Sequence, residues 1–144
     1  MAYDEESRAQ MERLFGDLVN RPSRGRFAPN ADVVFDEDSG RVFVQVEIAG
    51  ADAASLRVFV DERHLIITGR RVDAARLRHG TLLQKEIEYG DFVKKLHLPV
   101  AVQYADVAAN YADGMLTIAL PVAQTKYVPT SRAEIRLIVK RTLV

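Results

Sequence analysis

The chain has 144 residues, the size of one domain, with 48% hydrophobic and 28% charged residues, which excludes disorder and leaves enough apolar material for a single core. Lys plus Arg equals Asp plus Glu at 20 each, so no global field draws the chain to nucleic acid, and no apolar run is long enough to cross a bilayer. There is no cysteine, which removes disulfides, thiolate metal sites and thiol nucleophiles and suits a reducing cytoplasm.

Residues 1–28 read as a helix followed by a linker. The opening MAYDEESRAQ is acidic and lacks an apolar h-region, so it does not read as a secretory signal. Met11, Leu14, Phe15, Leu18 and Val19 recur at helical period and form one apolar stripe. The stretch from Asn20 to Arg26 is polar and broken by Pro22 and Gly25, which reads as a flexible tether. The stripe has two readings: docking on the chain's own core, or packing against other chains.

Residues 29–121 read as β throughout. Val33-Val34-Phe35 runs into a turn at Asp38-Ser39-Gly40. Val42, Val44, Val46 and Ile48 alternate with Phe43, Gln45 and Glu47, and Leu56, Val58 and Val60 alternate with Arg57, Phe59 and Asp61. Leu65-Ile66-Ile67-Thr68 follows, ending at Gly69. The Arg-rich stretch Arg70–His79 reads as a long exposed loop, and Thr81–Glu88 as a strand beyond it. From Phe92 to Leu98, Phe92, Lys94, Leu96 and Leu98 share a face, so Lys94 needs an acid partner or a route to solvent. Asp113-Gly114 between Val107–Tyr111 and Met115–Leu120 is a strong hairpin signal. Short alternating runs punctuated by Gly, Pro and Asp turns predict an all-β sandwich or barrel.

Residues 122–144 read as a tail: polar and extended from Gln124, then an isolated apolar run. Ile135, Leu137 and Val139 share one face of an extended segment, with Arg136 turned away.

Motifs for nucleotide binding, metalloprotease or esterase chemistry are absent. His64, His79 and His97 have no evident triad partners, and the carboxylates Glu86, Glu88 and Asp36–Asp38 read as solvated faces. No metal site, cofactor or enzymatic activity is expected.

Several short motifs nevertheless stand in a recognisable order. Ala109-Asn110-Tyr111-Ala112-Asp113-Gly114-Met115-Leu116 resembles the A-x-x-x-n-G-v-L signature of the small heat-shock proteins, the α-crystallin family, with Asp113 and Met115 replacing more usual residues. Tyr89-Gly90-Asp91-Phe92 through Leu98-Pro99 is similar to the family's Y-G-x-F…L-P block. Val46-Glu47-Ile48-Ala49-Gly50 matches its L-P-G stretch, with Ala49 in place of Pro. Ile135-Arg136-Leu137 looks like its tail I-x-I/V motif, and Leu137-Ile138-Val139 is a competing register.

The resemblance implies an immunoglobulin-like β-sandwich, the α-crystallin domain, over 29–121, with a short N-terminal helix and an extended C-terminal tail. It implies ATP-independent holding of unfolding client proteins by homo-oligomers built from dimers. The segment Thr81–Glu88, with Leu83, Lys85 and Ile87 on one face, corresponds to the strand that bacterial-type members lend to a partner. Lys94 stands where many members carry an interfacial Arg. Ile135, Leu137 and Val139 are the expected oligomerisation tail, Val58 and Val60 the walls of its receiving groove, and Met11, Leu14, Phe15, Leu18 and Val19 the assembly and client stripe. The groove is expected where the Leu56–Val60 strand meets the Val107–Tyr111 strand, on a neighbouring chain. The other outcome is that the run from Ile135 folds back on its own domain. A second functional reading is a p23-like co-chaperone or adaptor that binds one partner as a monomer.

Overall fold

The computed structural model describes residues 6, 9, 10, 13, 27–61, 63–73, 79–103, 105–123 and 133–139. Nine strands follow in chain order among them: β1 Ala31–Asp36, β2 Arg41–Glu47, β3 Arg57–Val60, β4 His64–Arg71, β5 Gly90–His97, β6 Ala108–Ala112, β7 Met115–Pro121, β8 Ala133–Ile135 and β9 Leu137–Val139. They form two sheets, ordered β1-β2-β7-β6-β9 and β5-β4-β3-β8. Every pairing is antiparallel except β6 with β9. This is the sandwich that the alternating pattern predicts.

The apolar halves of the strands meet between the sheets. Val42, Val44 and Val46 of β2 and Leu116, Ile118 and Leu120 of β7 line one wall, and Val58, Val60, Leu65 and Ile67 the other, all fully buried. In register, Val44 faces Ile118 and Val58 faces Ile67, so each β-branched side chain has a like neighbour across the ladder. A smaller cluster of Phe59, Ile66 and Val93 lies on the outer face of the second sheet. Phe59 therefore does not follow the simple alternation of core and solvent.

Turn chemistry sets the registers. Asp113 and Gly114 join Ala112 to Met115 with φ of 53° and 77°, the left-handed pair that a two-residue type I′ hairpin requires. A Cβ on Gly114 would lie 3.0 Å from Ala49 Cβ, and Gly114 C=O accepts from Ile48 N–H at 2.8 Å. The signature hairpin and the Ile48-Ala49-Gly50 turn thus touch, with Gly114 supplying the clearance. Tyr111 reaches the same place, its hydroxyl donating to Ile48 C=O at 2.8 Å.

Three expectations change. Phe27, assigned to the linker, is 7% exposed and belongs to the core. It bridges to Phe92, the two rings are 5.3 Å apart, and the Arg71 guanidinium lies 4.4 Å over it. The β domain therefore begins before residue 29, because the ring covers an end of the core that the strands leave open. Arg70 and Arg71, placed in the loop, end β4. Thr81–Glu88 is not a strand here, because among the described residues no strand lies beside it to accept its backbone hydrogen bonds.

Two substitutions test this packing. A Cβ on Gly69 would come within 2.5 Å of Phe92 Cζ and 2.8 Å of Leu56 Cδ2. Gly69→Ala is expected to lower stability by about 1–3 kcal/mol in urea unfolding. Burial pushes the Tyr111 phenol above its ordinary value, so its contribution is complete below about pH 10, where the unfolded phenol ionises, and is lost as pH rises through the folded value. Tyr111→Phe is expected to cost about 1 kcal/mol at neutral pH and to flatten the alkaline loss of stability.

Candidate functional site

Each of the two sheets ends in edge strands. Each edge carries backbone donors and acceptors that another strand can satisfy. The chain fills two of them with its own tail. β8 pairs with β3, placing Ile135 opposite Val58 and Ala133 opposite Val60. β9 then crosses to the other sheet and runs parallel to β6, with Leu137 opposite Ala109. Arg136 is the pivot between the two short strands. The tail therefore staples one open side of the sandwich, holding both sheets through seven described residues, 133–139.

The predicted tail and groove residues come together here. Val58 and Val60 are fully buried core residues, and Ala133, Ile135 and Leu137 pack half-buried against that same core. Val139 is 41% exposed and stands outside the cluster, lining with Ala53, Leu56 and Leu137 a shallow depression of about 400 Å³. In the single chain, the register that seats is thus Ile135 with Leu137, and the groove that receives them is the chain's own, the fold-back alternative.

A contact unforeseen from the sequence locks that register. Glu134 points to the outer face, where its carboxylate accepts from Arg57 Nε at 2.8 Å and Nη2 at 3.0 Å. The carboxylate hydrogen bond raises the Arg57 guanidinium further above its ordinary value. The same guanidinium lies 5.1 Å over the Phe59 ring. Both partners are about a third to a half exposed, so the pair contributes roughly 0.2–1 kcal/mol, and its planar fork favours the register in which Glu134 meets Arg57. Residues 77 positions apart gave no local signal of it.

The predicted dimer residues form a second, separate group. Leu83 is 92% exposed, and Leu82 and Ile87 are also exposed. Lys85 Nζ donates to Ile87 C=O at 3.2 Å and lies 5.1 Å from the Tyr89 ring centre. Arg71 anchors the base of the segment, donating to Glu88 C=O from Nε at 2.9 Å and Nη2 at 2.6 Å. Lys94 lies elsewhere, half-buried on β5 opposite Ile67. β5 is an edge strand, so the Lys94 stem covers core while its ammonium has a short route to water. Among the described residues it has no acid partner.

The edge strand β1 was missed as a functional element. Among the described residues no strand pairs with its outer side, and Val33, Val34 and Phe35 are all exposed. The signal was present in the sequence: three consecutive large apolar residues cannot all face one core. The stripe residues Met11, Leu14, Phe15, Leu18 and Val19 lie outside the described residues. Glu6, Ala9, Gln10 and Arg13 are helical and exposed, at the spacing of one helix face.

The tail contact makes a graded prediction. Ile135→Ala with Leu137→Ala is expected to lose about 1–2 kcal/mol per site, half the usual cost of full burial, and to speed amide exchange at 133–139 and along β3 and β6. Arg57→Ala is expected to speed exchange at 133–135 only slightly. Val139→Ala is expected to leave exchange unchanged.

Comparison with known proteins agrees with this architecture. The sequence model of the Hsp20/alpha crystallin family matches residues 34–137. The chain is 28% identical over 116 residues to Heat shock protein 16 of Schizosaccharomyces pombe, covering 75% of this chain and 80% of that protein. It is 35% identical over 99 residues to the 17.0 kDa class II heat shock protein of Zea mays, covering 68% of this chain and 62% of the relative. It spans 56% of Small heat shock protein C4 of Rickettsia felis at 28% identity. Among solved structures, Heat shock protein 16.0 of Schizosaccharomyces pombe superposes with a TM-score of 0.65 at 24% identity, covering 87% of this chain and 89% of that one. A small heat-shock protein from Xylella fastidiosa, described as having a distinct high order structure, superposes at 0.58 and 21% identity, covering 73% and 94%. The family match runs from within β1 through β8 to the first residue of β9, and the chain belongs to the Hsp20/alpha crystallin family of small heat shock proteins, which are known as chaperones.

Proposed function

We propose that this protein is an ATP-independent holdase: it binds unfolding proteins through apolar surface, prevents their aggregation, and assembles from dimers into larger oligomers. The observation that carries this reading is a pair of unsatisfied apolar surfaces on one chain. The 81–89 segment exposes Leu82, Leu83 and Ile87 with no strand beside it, and β1 offers an unpaired edge flanked by Val33, Val34 and Phe35. An exposed apolar segment and an exposed apolar edge are each an aggregation hazard unless each has a partner. Two copies can supply one another: the 81–88 segment of one chain adds a strand to β1 of the next, and the symmetric exchange closes a dimer.

Higher assembly uses the tail. The contact of Ile135 and Leu137 with β3 and β6 is the same whether the tail comes from its own chain or another. The nine residues from 124 to 132 reach about 30 Å when extended, enough to pass the tail to a neighbour. Each such contact is weak, and several acting together hold an assembly. Loosening it under stress uncovers the Val58 and Ala109 edges for client chains. The stripe at Met11–Val19 adds a further apolar surface for assembly and clients. A chain without cysteine is unaffected by a reducing environment, and we place its action in the cytoplasm.

Two measurements test this. Equimolar protein without nucleotide is expected to suppress light scattering from a heat-labile enzyme, and no suppression at any temperature up to its own melting contradicts the holdase reading. Leu83→Asp with Ile87→Asp is expected to shift the mass in solution to that of a monomer while leaving the melting of the sandwich unchanged. An intact dimer in that variant contradicts the strand exchange.

A further inference from the structure

We propose that His64 and His97 form a chelate for a late first-row transition ion, copper(II) above all, at the end of the β4–β5 ladder. The two residues stand directly opposite one another across the antiparallel pair. Leu98 N–H donates to Arg63 C=O at 2.6 Å, which makes Arg63 and Leu98 the hydrogen-bonded pair of the continuing register. The adjacent His64 and His97 are then a non-hydrogen-bonded pair, the position at which cross-strand side chains come closest. Both imidazoles lie on the outer face, and both residues are exposed, so an ion reaches them from solvent.

The spacing fits a chelate. The ring centres are 5.1 Å apart and the planes are tilted by 56°. An ion bound at about 2.0–2.1 Å from a ring nitrogen lies about 3.2 Å from the centre of that ring. Two ring centres 5.1 Å apart then subtend an angle of about 105° at a shared ion, between the square and tetrahedral limits of copper and zinc sites.

Asp61 prepares one of the ligands. Its Oδ1 accepts from the backbone N–H of Arg63 at 2.9 Å and of His64 at 2.6 Å, and lies 3.2 Å from His64 Nδ1. A proton on Nδ1 shared with this carboxylate leaves Nε2 as the free lone pair, the carboxylate–histidine arrangement that orients metal ligands. The charges of Asp61 and of Lys95, two residues before His97 on the same face, oppose one another, so the affinity comes from the imidazoles. Among the described residues no group of three or more His, Asp or Glu could hold an ion, so this is a two-imidazole site whose remaining positions belong to water. Copper(II) heads the affinity order for such ligands.

The test is titration of copper(II) alone into the full-length protein, read by calorimetry, by paramagnetic resonance and by melting temperature. One ion per chain with splitting from two imidazole nitrogens is expected, together with a rise in melting temperature, because the ion clips β4 to β5 in the folded state only. His64→Asn and His97→Asn are each expected to weaken binding at least tenfold and to abolish the rise, while His79→Asn changes neither. A parent protein that shows no imidazole splitting overturns the proposal. So does a His64→Asn, His97→Asn double variant that binds copper as tightly as the parent.

Discussion

Unpaired backbone at strand edges is the constraint on which the rest of this structure depends. A two-sheet sandwich buries its side chains well, but its outermost strands still carry donors and acceptors that only another strand or water can satisfy. Among the described residues the outer edge of β1 has no strand beside it and that of β5 only the single bridge of Phe27 to Phe92, while the edges of β3 and β6 are taken by the chain's own residues 133–139. On the proposed function, the same groups that make a sandwich hazardous to itself make it a receiver of strands from other copies and from unfolding proteins. Chaperone action in this reading needs no reacting group, only edges whose occupants can be exchanged.

The proposed exchange requires that the occupant be held only moderately. Ile135 and Leu137 are half-buried, so together they contribute roughly half of the 3–6 kcal/mol that two fully buried aliphatic side chains would. Ordering the tail offsets part of that. The Arg57–Glu134 fork adds little affinity but selects one register, so that Ile135 rather than Val139 meets Val58.

The sequence carried the sandwich clearly, because half-buried strands write their burial as period-two alternation, and Asp113-Gly114 writes its hairpin as a backbone preference. The motif order carried the family. What alternation cannot express was less legible. Phe27 looks like linker because a single aromatic after a Pro/Gly-broken stretch has no periodicity, yet it caps the core over Phe92. Phe59 and Ile66 alternate out of the main core but are buried in a second cluster. Thr81–Glu88 has the composition of a strand, but a strand is a pairing, and among the described residues none lies beside it. Arg57 with Glu134, and His64 with His97, are cross-strand neighbours that only the register brings together. Whether the tail docks on its own chain or the next is likewise not written in Ile135-Arg136-Leu137, since the motif specifies apolar side chains at i and i+2 and not the chain that receives them.

Exchange of the tail between chains can be read directly, because the protein has no cysteine of its own. Val58 and Ile135 are opposite one another in the β3–β8 ladder, within reach of a disulfide. Protein carrying only Val58→Cys is mixed with protein carrying only Ile135→Cys, warmed, oxidised and analysed by mass. The account predicts a disulfide-linked pair containing one chain of each kind, forming faster as the temperature rises. Absence of that mixed pair, while a chain carrying both cysteines closes its own disulfide, would contradict it.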